Sequence, residues 1–367
     1  MAFKLVQALQ TKLDGLPLGQ EKWLLDMVAL GTVCDIMEQT IENRQNIFWG
    51  LKVLSKTRRA GLKSMLALAG VKEPKSSTLG FIIGPRINSA GRLETAEKAL
   101  DLMLENDAFV AFEKAKNLDD LNKKRRKIQH EALEIAIQKA KDFENDKVLV
   151  LADESFNDGI IGIVASGLLE RFKKPVFVIS IEGNIAKGSA RSFGGFSASQ
   201  AVQNASEIII KGGGHDAAAG VTLPTSKIDD FRKSVNDFYD SLNLKNQLEY
   251  LLPKVDIQLE DFSPISLELF EKITALEPFG KGNEEPTFEI KKVRVIARQE
   301  MGDKKQHLKL TLTDGENEIK MLKFNAPEEF FAEIGEEIDV VFSLGLNEWQ
   351  GQKNVEGQIL HLERKRV

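Results

Sequence analysis

A single cysteine, Cys34, and four histidines (His130, His215, His307 and His361) are spread over 367 residues. One thiol excludes an internal disulfide framework and a Cys-based zinc site, and four histidines exclude a His-rich metal centre. The expected compartment is the reducing cytosol. No run approaches the ~18 apolar residues of a membrane span. Lys4, Gln7, Gln10 and Lys12 interrupt the first segment, so a signal peptide is not expected. The chain also lacks Asp-His-His, Asp-x-Asp, a Walker loop and Gly-x-Ser-x-Gly. Basic residues are not in excess either: 50 Lys and Arg face 55 Asp and Glu, for a net charge of −5. That balance argues against a nucleic-acid coat protein and leaves room for a local basic channel. With 42% hydrophobic and 29% charged residues the composition is that of a folded protein. The length exceeds one ordinary core and predicts two or three domains.

Residues 1–106 read as mostly helical. Phe3, Val6, Leu9 and Leu13 recur at helical spacing, and the pattern is already running at Met1 without a capping residue, which suggests a segment upstream. Trp23 to Ile36 is apolar on nearly all sides and carries Asp26 and Asp35; further helices are expected near 47–54 and 60–69. Residues 107–142 predict one connecting helix of roughly 50 Å, with Asp107 as N-cap, a Leu118, Leu121, Ile128, Ile135 seam and a basic block at 123–127. An α/β pattern covers 143–245: strands at 148–152, 175–180 and 185–191, helices at 160–172, from Ser197 and at 226–242, and a Gly-rich turn at 212–214. Residues 253–367 alternate over five short strands with one helix near 327–333, which fits a closed barrel of the OB type.

Several segments carry chemistry. Asp35, in an apolar stretch, requires a hydrogen bond, an ion pair or a metal, and a helix cap would satisfy it equally. Gly84-Pro-Arg86-Ile-Asn88-Ser-Ala-Gly91-Arg92 packs arginine forks suited to phosphates beside permissive glycines. The same segment also reads as a turn between helices with solvated arginines. Ser189 and Arg191 end a strand, and Gly212, Gly213 and Gly214 could turn main-chain N–H groups onto an anion. His215 beside them could donate to a phosphate or carry a proton, although a Gly-Gly-Gly-His run is commonly a tight turn. The 123–127 block reads as a solvated face or a backbone contact. Trp349, in a hairpin turn, is a better base-stacking platform than Phe279 or Phe288, which suit the barrel core.

Taken in order, these segments resemble the later two-thirds of the RecJ family of single-stranded-DNA exonucleases, in the DHH phosphoesterase superfamily. VALGTVCDI with Glu42-Asn43-Arg44 is similar to the family's fourth phosphoesterase motif, GPRINSAGRL to the stretch closing over its active site, and DGIIGIVAS, GSARS and GGGHDAAAG to its DHH-associated domain. LEPFGKGNEEPTF is close to a family hallmark. The resemblance implies an α/β multidomain fold: a partial DHH phosphoesterase domain, a long connecting helix, a DHH-associated α/β domain and an OB-type barrel. It implies 5′-to-3′ hydrolysis of single-stranded DNA in repair and recombination, with two Mn2+ or Mg2+ ions. Asp35 would be a metal ligand; His215, Arg86 and Asn88 would act in catalysis. Arg92, Ser189, Arg191 and the three glycines would hold phosphates, and Trp349 would stack on bases. The family's Asp-His-His is expected upstream of Met1, so the chain alone is expected to be inactive and to need a partner supplying the missing motifs. Asn157-Asp158 and Gly167 also replace a His and an Arg that the family tends to carry. A non-catalytic DNA-binding or scaffolding subunit is the alternative. A relative acting on short oligonucleotides or cyclic dinucleotides is disfavoured by residues 253–367.

Overall fold

The computed structural model describes residues 1–364 except Asp14 and Leu16. Seven helices come first: α1 (Ala2–Gln10), α2 (Leu25–Cys34), α3 (Ile41–Leu54), α4 (Ala60–Leu68), α5 (Gly84–Leu93), α6 (Glu97–Leu104) and α7 (Ala108–Ala140). The α/β segment follows as β1 (Leu149–Asp153), α8 (Ile161–Phe172), β2 (Val176–Glu182), β3 (Ile185–Arg191), α9 (Ala198–Asn204), β4 (Lys211–His215), β5 (Ala218–Pro224) and α10 (Ile228–Ser241). The last part holds β6 (Ile257–Leu259), α11 (Leu267–Thr274), β7 (Phe288–Met301), β8 (His307–Thr313), β9 (Glu318–Lys323), β10 (Glu337–Trp349) and β11 (Gln352–Arg364). Among the described residues no helix is long and apolar enough to cross a membrane. The chain forms two compact units, residues 53–251 and residues 1–52 together with 252–367.

In the unit of residues 53–251, α7 starts as its sequence predicts: Asp107 Oδ1 accepts from the N–H groups of Phe109 and Val110, both at 2.9 Å. Its packing seam differs from the expected leucine and isoleucine row. Ala111, Ala115, Leu118 and Asn122 are buried in its first half and Ala132, Ala136 and Ala140 in its second, whereas Ile135 is exposed. Alanine lets neighbouring backbones approach closely, so the seam is narrow and the larger side chains fall outside it. The sheet runs β1-β2-β3-β5-β4, with β1 and β2 parallel and the other pairs antiparallel. The second half of α7 and α8 bury Leu149, Leu151, Val176 and Val178 on one face. On the other, α9 and α10 cover Phe177, Ile179, Ala186, Ala190, Val221 and Leu223. On the first face α8 packs against both β2 and β3, and the helical cover thins towards β5 and β4.

Two local readings are corrected here. Residues 84–93 are the helix α5 rather than a turn, led by a π-helical stretch, Thr78–Ile83, and with Pro85 in the first turn, where its missing N–H costs nothing. Residues 211–215 are the edge strand β4 rather than a Gly-rich turn, so no nest of converging N–H groups forms there. Glycine has low strand propensity, but pairing along all of β5 overrides it.

In the other unit, β7, β8, β9, β11 and β10 form a closed barrel, sealed by the pairing of β10 with β7. β7 serves β10 with its first half and β8 with its second. It bends at Lys292, which has a positive φ of 57° and whose N–H donates to Asp339 Oδ1 at 2.8 Å. The expected helix at 327–333 is only a single 3-10 turn, Glu328–Phe330. Residues 38–44 dock on the loop 276–283. The Gln39 N–H donates to the Lys281 carbonyl at 2.7 Å, Gln39 Nε2 to that of Phe279 at 3.0 Å, and Arg44 Nη2 to that of Leu276 at 2.6 Å. A Cβ on Gly280 would lie 1.9 Å from Gln39 Nε2, so the Phe-Gly-Lys-Gly run needs its first glycine for this contact.

Two stability predictions follow from these contacts. Asp107→Ala removes the α7 cap and should cost about 1 kcal/mol, read as a lower denaturant midpoint at unchanged slope. In the barrel, burial works against the charge of Asp314, but N–H groups of Phe262, Asn317 and Glu316 outweigh it and hold the carboxyl at about 2. A depressed folded-state value gives stability that is complete above the ordinary carboxylate range and is lost as pH falls from ~4 through ~2. Thermal unfolding of the wild type should therefore weaken across that window, and Asp314→Asn should flatten the decline.

Candidate functional site

Strand alternation builds the site. In β3, Ala186, Gly188 and Ala190 face the core, which puts Lys187, Ser189 and Arg191 on the opposite face, where α8 partly covers them. Register carries that row across the sheet: Lys187 pairs Thr222, which pairs Lys211; Ser189 pairs Gly220, which pairs Gly213; Arg191 pairs Ala218, which pairs His215. The middle row beyond Ser189 is therefore bare backbone. A Cβ added at Gly213 meets nothing within 4 Å.

The first turn of α8 and the end of α5 meet beside this floor. A Cβ at Gly162 would stand 3.1 Å from both Ser189 Oγ and Arg191 Nη2, and one at Gly159 only 1.9 Å from the Arg92 carbonyl oxygen. Close approach to backbone requires glycine at 159, whereas at Gly162 the two side-chain ends would have to give by a few tenths of an ångström. Arg92 Nη1 donates to the Gly159 carbonyl at 2.9 Å, and Arg191 Nη1 donates to the Ala190 carbonyl at 2.7 Å and to Ser189 Oγ at 3.3 Å. The result is a cavity of about 590 Å³ lined by Arg92, Lys187, Ser189, Arg191 and Lys211, with Asp158 in its wall. Burial, then the charge of Arg92, pushes the Arg191 guanidinium below its ordinary value. Arg125 of α7 is shifted the same way by burial, Arg92 and Arg126. The charge of Arg92 thus acts on both Arg191 and Arg125, and guanidinium groups gathered in this way form a place for an anion.

The structure thus brings Arg92, Ser189, Arg191 and Gly212 together around one cavity. Other expected residues lie elsewhere. Arg86 is held by Asp119 of α7, with Nε and Nη2 2.9 and 2.8 Å from Oδ1, so it fastens α5 to α7. Burial opposes the Asp119 charge, but Lys123 and Arg86 outweigh it and keep the carboxyl below its usual range. Asn88 is exposed on α5. His215 is exposed at the end of β4 and is not among the cavity's lining residues. Gly213 and Gly214 line a second hollow, of about 490 Å³, between β4 and α9. Trp349 is 72% exposed at the tip of the β10–β11 hairpin, where Gln350 and Gly351, both at positive φ, form the two-residue turn.

Asp35 ends α2 and is exposed; its N–H donates to the Gly31 carbonyl at 3.0 Å. The buried carboxylate of that segment is Asp26 instead, 1% exposed. Among the described residues no group of three or more His, Cys, Asp or Glu side chains is arranged to hold a metal ion. Asp35 alone does not fit a two-metal centre, and no hydrolytic step is derived through it. Lys187 and Lys211 are not among the site residues expected from sequence, Asp158 enters there only as a departure from the family pattern, and Arg125 only as part of the basic block. The period-two spacing of Lys187 with Ser189 and Arg191 carries the signal for the first of these; the others depend on tertiary contact.

Residues 145–241 match the DHHA1 domain family and residues 255–361 the RecJ OB domain family. The single-stranded-DNA-specific exonuclease RecJ of Bacillus subtilis is 34% identical over 96% of this chain and 44% of its own length. Among solved structures, RecJ from Thermus thermophilus in complex with Mg2+ superposes with a TM-score of 0.83 at 29% identity, covering 100% of this chain and 56% of that one. The same protein in complex with Mn2+ gives 0.84 at 28% identity, covering 100% and 53%. This chain therefore spans about half the length of the RecJ proteins it matches. By sequence and by fold it is a homologue of RecJ proteins over nearly its whole length and carries a DHHA1 domain and a RecJ OB domain.

Proposed function

We propose that the chain works in a RecJ-type exonuclease that hydrolyses single-stranded DNA from the 5′ end with Mn2+ or Mg2+, and that its own residues grip the strand. The observation that carries this reading is the cavity where Arg92 and Arg191 face one another beside Ser189. Bidentate guanidinium donors and a hydroxyl suit a phosphate, and the bare Gly213–Gly220 floor lets a nucleotide lie against the backbone. On the barrel, exposed Trp349 offers a face on which any base can stack. Asp35 remains our candidate metal ligand. A carboxylate at a helix C-terminus is disfavoured by the dipole, by about 0.3–1 kcal/mol, and a bound cation would reverse that. His215 and Asn88 would then contact the strand from the exposed positions they hold.

A non-catalytic role in binding single-stranded DNA is the second reading, favoured by the single candidate ligand. Polypeptide 1–367 incubated with Mn2+ and a labelled oligonucleotide should bind without cutting it. Cleavage abolished by Asp35→Ala would show instead that the chain completes a metal site, as a dimer for example.

Binding itself is tested by anisotropy. Arg191→Ala and Arg92→Ala should each weaken binding by about 10- to 100-fold, the value of a charge-assisted hydrogen bond, and should lower the salt dependence by about one phosphate. Trp349→Ala should cost at least several-fold without changing that dependence. Equal affinities for all three variants and the wild type would remove the cavity and the hairpin from the interface.

A further inference from the structure

In the unit of residues 1–52 and 252–367, a cavity of about 490 Å³ lies between residues 39–48 and the loop 275–283. Gln39, Arg44 and Phe48 line it from the first segment, Ala275 and Pro278 from the second. Gln39 is only 5% exposed. Its Nε2 donates to the Phe279 carbonyl at 3.0 Å, while Oε1 is buried without a hydrogen-bond partner. Arg44 is committed in the same partial way: Nη2 donates to the Leu276 carbonyl at 2.6 Å, and Nε is buried and unpaired. Each side chain is thus anchored to the loop by one polar atom and keeps another unsatisfied. Phe48, 40% exposed, adds a ring that stands edge-on to Trp49, with centroids 5.3 Å apart, and carries Lys52 Nζ at 4.2 Å.

A buried acceptor and a buried donor without partners bear the desolvation cost of both groups, and a ligand recovers it only by offering the complementary pair. That requirement is selective. A phosphate or a carboxylate serves Arg44 but sets acceptor against acceptor at Gln39. A trans peptide points its N–H and C=O in opposite directions and does not present both from one side. A nucleobase does. Adenine, cytosine, guanine and thymine each carry a donor next to an acceptor on the Watson–Crick edge, on a flat ring of the kind an aromatic side chain packs against.

We propose that this cavity is a nucleobase-binding site, in which Gln39 Oε1 accepts from the edge of an unstacked base, Arg44 Nε donates to it, and Phe48 packs on its ring. The base belongs either to a bound strand, an arm that rests on the reading of this chain as a single-strand binder, or to a free nucleoside. Both are tested with the full chain in EDTA. Anisotropy of 3′-labelled oligonucleotides, each with one abasic position, should show a position at which losing the base weakens binding about tenfold. Gln39→Met and Phe48→Ala should each abolish that penalty, whereas Trp349→Ala should keep it. Phe48→Ala carries the test alone if Gln39→Met, which also frees the loop, does not fold. Calorimetry with deoxyadenosine, which has no phosphate for the arginine cavity, reads the other source. Saturable binding lost in Phe48→Ala, beside an abasic series without any penalty, would assign the cavity to a free nucleoside. A penalty that persists in both variants, or a flat abasic series with no deoxyadenosine binding while intact strands still bind, would overturn the site and leave the strand grip intact. Failure of every oligonucleotide to bind the wild type would overturn the strand reading, and deoxyadenosine alone would then decide the cavity.

Discussion

Burial and then the like charge of Arg92 work against the charged form of Arg191, so the unit of residues 53–251 has to supply the free energy that keeps the two arginines there. It does so through backbone. The Arg92 carbonyl abuts Gly159, its guanidinium donates to the Gly159 carbonyl, and Arg191 is tied to the carbonyl of its own strand neighbour. None of these contacts neutralises the charge. They fix two forks in place while leaving their electrostatic demand for an anion unmet, which is the preorganisation a phosphate site needs.

The supports of that site reach well beyond it. Helix α5 points Arg92 at α8 because Arg86, two turns earlier, is fastened to Asp119, and Ser89 Oγ donates to the Arg86 carbonyl at 2.6 Å. Helix α7 can come close enough to make that pair because alanines line its seam. The sheet contributes the row itself: the first turn of α8 reaches β3 at Gly162, against Ser189 and Arg191, while Lys187 of the same strand stays exposed. Arg86 thus ties α5, the helix that carries Arg92, to α7.

Most of the architecture was legible because it is written in periodicity. The strands at 149–153, 176–182 and 185–191, the N-caps at Asp107 and Ser197 and the five barrel strands all follow from alternation and end signals. The misreadings share a cause. Residues 84–93 and 211–215 are rich in glycine, which reads locally as a turn, yet tertiary pairing made one a helix and the other an edge strand. The candidate site was legible in its β3 residues and in Arg92. What sequence could not show is occupancy: Arg86 looks like Arg92 until Asp119 is seen beside it.

Charge shows the same limit. The block at 123–127 reads as one basic feature, but its members have separate fates. Lys123 is paired with Asp119 and Asp120, Lys127 lies 3.9 Å from Glu131, and Arg125 turns inward to Asn122 and Gln129. Arg125 is also the member on which burial and the charges of Arg92 and Arg126 act. Conversely, a chain with a net charge of −5 concentrates uncompensated positive charge where α5, α7 and β3 converge. Net charge is a sum over the surface, whereas an anion responds to the few groups within a Debye length that no carboxylate has claimed. On that scale the decisive count is of partners rather than of residues: Asp119 takes Arg86 and Lys123 out of it, and Asp158 takes out Lys187.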